Sequence, residues 1–435
     1  MKKDKDIFKN IIGYDDIKSS LTRLIDVLNN KEKYEKIGSS IPHGLLLYGP
    51  PGTGKTSMAS IILSNVKDRK VFVIRKIKSD GDFINYMKRE FSAAIKDQPS
   101  IILLDDLDKF SESNKYTNNQ EEYVAVQSFL DNAKNKDVFV IATCNDKDNL
   151  PDSLLRSGRF DIKLEMDNPS DDDSLTIIKH YLKKKKIEKE LDINKISKIL
   201  IGSNCADLEK VCNNAGIYAA YNNKEEISME DLIRASLEHK YNSRIEDIYK
   251  EDKYSLETAY HEAGHALIGT LLEPGSISCV SSVMNEGDTS GLTIFHQNKD
   301  YFHDVKYRIN RIKTLLAGKA ATEIIYNKCD IGSYNDLDRA YKIARDLIDD
   351  LCINDFNSKT FYKSGEETLS NKDKESSELI SNYYKEVKAM LISNRFTLDA
   401  LAYELNKRKI IYDTDIEVII NNDTLFNNKK AMKNG

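Results

Sequence analysis

The chain has 435 residues, enough for two or three domains at roughly 150 residues each. Its 65 Lys and Arg nearly balance 70 Asp and Glu, which excludes a nucleic-acid binder built on a broad basic face, and 40% apolar residues supply real cores. The longest apolar runs, such as 101-IILL-104 and 138-VFVIA-142, fall far short of the ~20 residues of a membrane span, and the start MKKDKDIFKN leads into no apolar signal segment.

In chain order, a polar lead precedes apolar residues at three- and four-residue spacing, which predict a helix over 15–37. Next, 44-GLLLYGPPGTGKTSMASIIL-63 runs from an apolar strand through a Gly/Pro turn into a helix. The segments 71–74, 101–104 and 138–142 read as further buried strands separated by helical stretches, the alternation of a parallel α/β sheet. Residues 168–240 turn helical, with segments at 173–187, 192–199, 206–221 and 229–237. A polar stretch, 238–253, suits a boundary. From 254 the chain is again mostly helical, with one hairpin of SISCVSSVM (276–284) and LTIFH (292–296). The Asn- and Lys-rich end, 421–435, is expected to fray. Six cysteines without a C-x-x-C pair read as free thiols of a reducing compartment, so a cytoplasmic location is expected.

Residues 49–56 (Gly49, Pro50, Pro51, Gly52, Thr53, Gly54, Lys55 and Thr56) fit G-x-x-x-x-G-K-[ST] between a strand and a helix. The glycines let backbone N–H groups curl around phosphates, Lys55 brings charge to the β- and γ-phosphates, and Thr56 offers a hydroxyl to Mg²⁺. Asp105 and Asp106 end the next apolar strand, where a carboxylate can hold Mg²⁺ through its water shell. A third strand ends at Asn145, suited to orienting water or touching the γ-phosphate. Arg156 and Arg159 follow on a turn, and arginines can neutralise a transferring phosphate from a neighbouring subunit.

The run 260-YHEAGHALIG-269 contains H-E-x-x-H. His261 and His265, four apart, present two imidazoles on one helical face to one Zn²⁺ ion. Glu262 can take a proton from a water activated by that ion and pass it to a leaving amine. The flanking Ala259, Ala263, Ala266, Leu267 and Ile268 mark a buried helix, where imidazoles need partners. A catalytic zinc needs a third protein ligand. His296, His303, Glu323 and Asp336 are the candidates.

The phosphate loop, the acidic strand end and 145-NDKDNLPDSLLRSGRFD-161 together resemble the AAA+ ATPases. That resemblance implies Asn145 as sensor, Arg156 and Arg159 as fingers reaching the next subunit of a ring, normally a hexamer, and Ile12 and Gly13 beside adenine. The segments TAYHEAGHALIG, 316-LAGKAATEIIY-326 and 332-GSYNDLDRAYKIARDLI-348 resemble the peptidase domain of FtsH-type proteases, in which the third zinc ligand maps to Asp336 and Glu323 takes a structural role. The two resemblances together cover roughly residues 8–420. They imply ATP, Mg²⁺ and Zn²⁺ as cofactors, polypeptides as substrates, and ATP-driven unfolding followed by zinc-dependent peptide hydrolysis; the charge balance leaves no nucleic-acid partner expected.

The expected architecture is an α/β AAA+ module (1–167) with a helical lid (168–240), a linker (241–253), a mostly helical zinc metallopeptidase domain (254–420) and a disordered tail (421–435). Departures from the pattern are the lack of a membrane segment, Asp106 where the family has Glu, and no aromatic-hydrophobic-Gly pore motif in 75–91, where Phe83 or Tyr86 would have to serve or merely pack. The first fits either a naturally soluble relative or a soluble portion of a longer protein, and the second predicts slow ATP turnover. The alternative expectation is an AAA+ remodelling ATPase whose peptidase-like domain is weakly active or a docking module. LTIFH is expected as an edge strand near zinc that pairs with extended substrate.

Overall fold

The computed structural model describes residues 7–9, 11–76, 82–110, 113–114, 117–118, 121–242, 244–245, 248, 254–284, 290–296, 304–328, 331–353 and 366–422. The candidate ligand His303, the stretch 77–81 of the expected pore loop, the hairpin turn 285–289 and the tail from 423 lie outside them. The chain divides into two compact units, Met1–His180 with Gly202–Lys210, and Tyr181–Ile201 with Val211–Gly435.

The first unit runs α1 (Asp15–Asn29), α2 (Lys31–Glu35), β1 (Gly44–Tyr48), α3 (Lys55–Asn65), β2 (Lys70–Arg75), α4 (Phe83–Lys96), β3 (Ser100–Asp105), a short pair β4 (Ser113–Asn114) and β5 (Thr117–Asn118), α5 (Glu121–Ala133), β6 (Val138–Cys144), β7 (Ile162–Glu165) and α6 (Asp171–Leu182). The single helix expected over 15–37 is two, because Asn30 leaves helical geometry at φ −127°. The expected 173–187 helix stops at Leu182, before four consecutive lysines whose charges would crowd one turn.

Five parallel strands form a sheet in the order β2-β3-β6-β1-β7. Alternate residues of one strand feed opposite layers, as the period of two requires. Leu46, Ile102, Leu104 and Val140 join Phe83, Phe91 and Phe110 on one face. Leu45, Leu47, Ile101 and Ile141 join Leu21, Met58 and Ile62 on the other. Helices therefore cover both faces, and the carboxyl ends of β1, β6 and β3 open side by side. Strand β7 escaped sequence reading because its residues alternate half-buried and exposed rather than forming an apolar run.

The second unit contains α7 (Ile193–Ile199), most of α8 (Cys205–Tyr221), α9 (Met229–Tyr241), α10 (Ser255–Leu272), β8 (Ile277–Met284), β9 (Ser290–Phe295), α11 (Val305–Tyr326), α12 (Tyr334–Asp349), α13 (Glu366–Ser393), α14 (Arg395–Arg408), β10 (Ile410–Tyr412) and a closing helix over 413–422. The hairpin forms as an antiparallel β8–β9 pair. The three-residue β10 adds to the other side of β8, so among the described residues β9 is an edge strand. Ile245 and Ile248, inside the polar stretch 238–253, are buried with Ile199, Cys279 and Tyr412.

Helix α10 is buried along almost its whole length. It crosses α11 through small residues: a Cβ at Gly264 would lie 2.5 Å from the Ala317 carbonyl oxygen and 2.8 Å from the Ala321 Cβ. That closeness fixes where the imidazoles of α10 point. No helix among the described residues is long and apolar enough to cross a membrane.

Candidate phosphate site and metal centre

The loop after β1 turns through Gly49, Gly52 and Gly54, all at positive φ, where an L side chain is strained. Gly49 also has no room for one, since its Cβ would meet the Met166 carbonyl oxygen at 2.3 Å. The Lys55 ammonium lies inside this loop, donating to the carbonyls of Gly49 (2.6 Å) and Pro50 (2.8 Å). Burial lowers its pKa from the ordinary lysine value. The first turn of α8 closes on the loop, with the Ala206 N–H donating to Gly52 O at 3.1 Å. Gly13, at φ +73°, packs against the Asp173 carboxyl, and the Tyr14 hydroxyl reaches Asp167 O (2.6 Å) and Cys205 Sγ (3.9 Å). Ile12 and Gly13 are half-buried at this α8 end of the loop.

Asp105 is the most heavily bonded carboxylate here. Its Oδ1 accepts from Thr143 Oγ1 (2.8 Å) and Thr56 Oγ1 (3.2 Å); its Oδ2 accepts from Arg75 Nε (3.0 Å) and Nη2. Burial opposes its charge, but these donors hold it below the usual carboxylate range. Asp106 stands at φ +57°, its N–H bonded to Thr143 Oγ1 (2.9 Å) and its carboxylate to Lys109 Nζ (2.7 Å). The Asn145 amide nitrogen and backbone N–H both donate to Asp108 Oδ2 at 3.1 Å. Arg156 is exposed. Arg159 is held within the chain by a fork onto Asp131 (3.0 and 2.9 Å) and by Ser153 O. Phe83 is buried edge-on to Phe110, and Tyr86 OH donates to Val73 O, so both pack within this chain.

The metal centre takes shape where α10, α11 and α12 meet. His261 Nε2, His265 Nε2 and Asp336 Oδ2 form a triangle with sides of 3.1, 3.2 and 3.1 Å. Tetrahedral bonds of about 2.0–2.1 Å separate ligand atoms by about 3.3 Å, so the three donors fit one zinc ion. His265 Nδ1 lies 2.7 Å from the Thr314 carbonyl, which can only accept. The proton therefore sits on Nδ1, and Nε2 keeps its lone pair for metal. Gly318 of α11 is obligatory: a Cβ there would lie 2.5 Å from both Nε2 atoms. Burial opposes the Asp336 charge, but the two imidazoles hold it far below the ordinary carboxylate range.

Glu262 is buried beside this triangle. Burial raises its pKa, countered in part by the imidazoles and by Thr293 Oγ1, which donates to Oε2 at 2.6 Å. Thr293 comes from edge strand β9, so the expected edge strand does border the metal centre. Of the other candidate ligands, Glu323 accepts from Tyr384 OH and Lys388 Nζ (2.8 Å), and His296 lies 3.9 Å from Asp413. Among the described residues the triangle is the one group suited to a metal ion. Sequence reading missed Arg75, Thr143, Thr293, Thr314 and Gly318. Thr143, Thr293, Thr314 and Gly318 are of types that signal neither metal nor phosphate by themselves, and Arg75 is one arginine among many; a contact map is needed to find them.

Comparison with known proteins agrees with this geometry. Residues 45–168 match the model of the ATPase family associated with various cellular activities (AAA), and residues 248–419 match peptidase family M41. The chain is 30% identical to the ATP-dependent zinc metalloprotease FtsH 2 of Thermoanaerobacter sp. (strain X514), over 95% of this chain and 82% of that protein. It is 30% identical to FtsH of Karelsulcia muelleri (95% and 70%) and 29% identical to FtsH 2 of Phytoplasma mali (95% and 63%). A phosphate loop, a three-donor zinc triangle and similarity along both units coincide in one chain, which belongs to the FtsH family of ATP-dependent zinc metalloproteases.

Proposed function

We propose that this chain hydrolyses peptide bonds at the His261–His265–Asp336 centre and couples that step to ATP hydrolysis at the 49–56 loop. The observation that carries the reading is the convergence of three metal donors beside a buried carboxylate. Zinc held there supplies Lewis acidity, acidifying water and polarising a scissile carbonyl. Glu262 takes the water's proton and returns it to the leaving amine; its raised pKa suits both directions. Thr293 keeps that carboxylate aimed, and β9, at the sheet edge among the described residues, offers main-chain groups along which an extended polypeptide can align.

At the other centre, Lys55 is placed to turn from the loop carbonyls to the β- and γ-phosphates, and Thr56 with Asp105 would hold Mg²⁺ through its water shell. Asn145, aligned by Asp108, orients the attacking water near Asp106. Ile12 and Gly13 border adenine. We assign ATP hydrolysis to residues 1–167 with 168–240 as lid, and peptide hydrolysis to 254–420, joined by 241–253. A ring of identical subunits, normally six, would let Arg156 act in trans; its exposure supports that role, whereas the fork with Asp131 has to open before Arg159 can join it. Buried thiols at Cys144, Cys212 and Cys279 support a reducing, cytoplasmic setting.

The remodelling-factor alternative is favoured by one observation, the Asp106 carboxylate tied to Lys109. The test is degradation of an unfolded protein with and without ATP by wild type, Lys55→Ala and Glu262→Gln. Loss in both variants is expected. An intact ATPase without zinc-dependent proteolysis would favour the alternative.

A further inference from the structure

Arg75 ends β2, directly across the sheet from Asp105 in the β2–β3 register. Asp105 is buried, with its side chain 2% exposed, whereas the Arg75 side chain is 58% exposed. A buried carboxylate left without a cation or donors is costly, so Asp105 needs a positive partner at every stage. In the structure that partner is Arg75, through Nε and Nη2 on Oδ2. The other oxygen is filled by Thr143 and Thr56, and Thr56 is itself the hydroxyl that the phosphate loop offers to Mg²⁺. Every acceptor position that hydrated Mg²⁺ would use is thus already bonded by the chain. Two cations on one carboxylate oxygen repel each other, and the exposed, long-stemmed Arg75 is the one free to leave.

Building on the ATPase reading, we propose that Arg75 holds the place of the divalent cation on Asp105 and exchanges with Mg²⁺ when ATP binds, so that Arg75 sets how much Mg²⁺ the site requires. The exchange balances charge: the buried carboxylate loses one cation and gains another, and the guanidinium moves into solvent. It keeps the buried carboxylate paired with a cation throughout, at the expense of Mg²⁺ affinity.

The test is Mg²⁺ titration of fluorescent ATP-analogue binding to the full chain, as wild type, Arg75→Ala, Arg75→Gln and Arg75→Lys. Half-saturating Mg²⁺ should fall by about three- to thirtyfold in Arg75→Ala and Arg75→Gln, the range for losing a charge-assisted ion pair to a half-exposed side chain. It should change least in Arg75→Lys, which keeps the charge. Should Arg75→Ala not fold, Arg75→Gln, which retains a neutral donor for Asp105, carries the same comparison. An unchanged or higher Mg²⁺ requirement in the neutral variants, with wild-type binding intact, overturns the exchange while leaving the ATPase reading standing. Failure of wild type to bind the analogue at any Mg²⁺ concentration overturns both.

Discussion

At Asp106 a single methylene is expected to set a rate. It sits at φ +57°, a conformation that disfavours L residues, and Lys109 holds its carboxylate at 2.7 Å. A carboxylate that must reach an attacking water from there is short by about 1 Å, a misplacement that can cost about 100-fold. Asp106→Glu is therefore expected to raise ATP turnover substantially, read as phosphate release; unchanged turnover would remove Asp106 from the hydrolytic step. Thr293 gives a second prediction, in pH. Its hydroxyl donates to Glu262 and so favours the ionised carboxylate, opposing the burial that raises the pKa. Removing the donor in Thr293→Val leaves Glu262 protonated to higher pH. The acid limb of the kcat/KM profile for peptide cleavage should then move upward, and a downward shift or none would show that Thr293 does not tune the base.

At the scale of elements, the zinc site is a property of how closely two helices approach. Gly264 lets the α11 backbone come against α10, and Gly318 leaves room for both imidazoles. Gly318→Ala would put a methyl 2.5 Å from each Nε2. We expect it to lose bound zinc, measured by metal analysis, and to cost about 1–3 kcal/mol of stability by thermal unfolding; full zinc content would contradict that account. This also marks the limit of what the sequence discloses. His261 and His265 are legible because one helical turn joins them. Asp336 lies 71 residues beyond His265, and only its resemblance to a known segment singled it out from His296, His303 and Glu323. Thr293, Thr314 and Arg75 gain their roles from sheet register and helix crossing, which no local pattern encodes. The apolar strands β1, β3 and β6 were legible as buried runs. The short β7 and β10 were not, since four half-exposed residues and three residues carry too little periodicity.

For the molecule as a whole, two chemistries occupy separate compact units, so each can be silenced alone. Lys55→Ala would remove the proposed phosphate contact and Glu262→Gln the proposed proton carrier, and neither residue lies in the other unit. The metal triangle has a mechanical meaning as well. Its donors come from α10 and from the first turn of α12, so a bound ion fastens the two ends of a 71-residue segment together. In chain-entropy terms such a closure is worth about 4 kcal/mol, a sizeable share of what holds a domain folded. Stripping zinc with a chelator should therefore lower the melting temperature by several degrees and speed proteolytic nicking near α12, with nucleotide binding unaffected. An ion placed for chemistry would also be a clasp, and this chain stripped of metal is expected to become easier prey for other proteases.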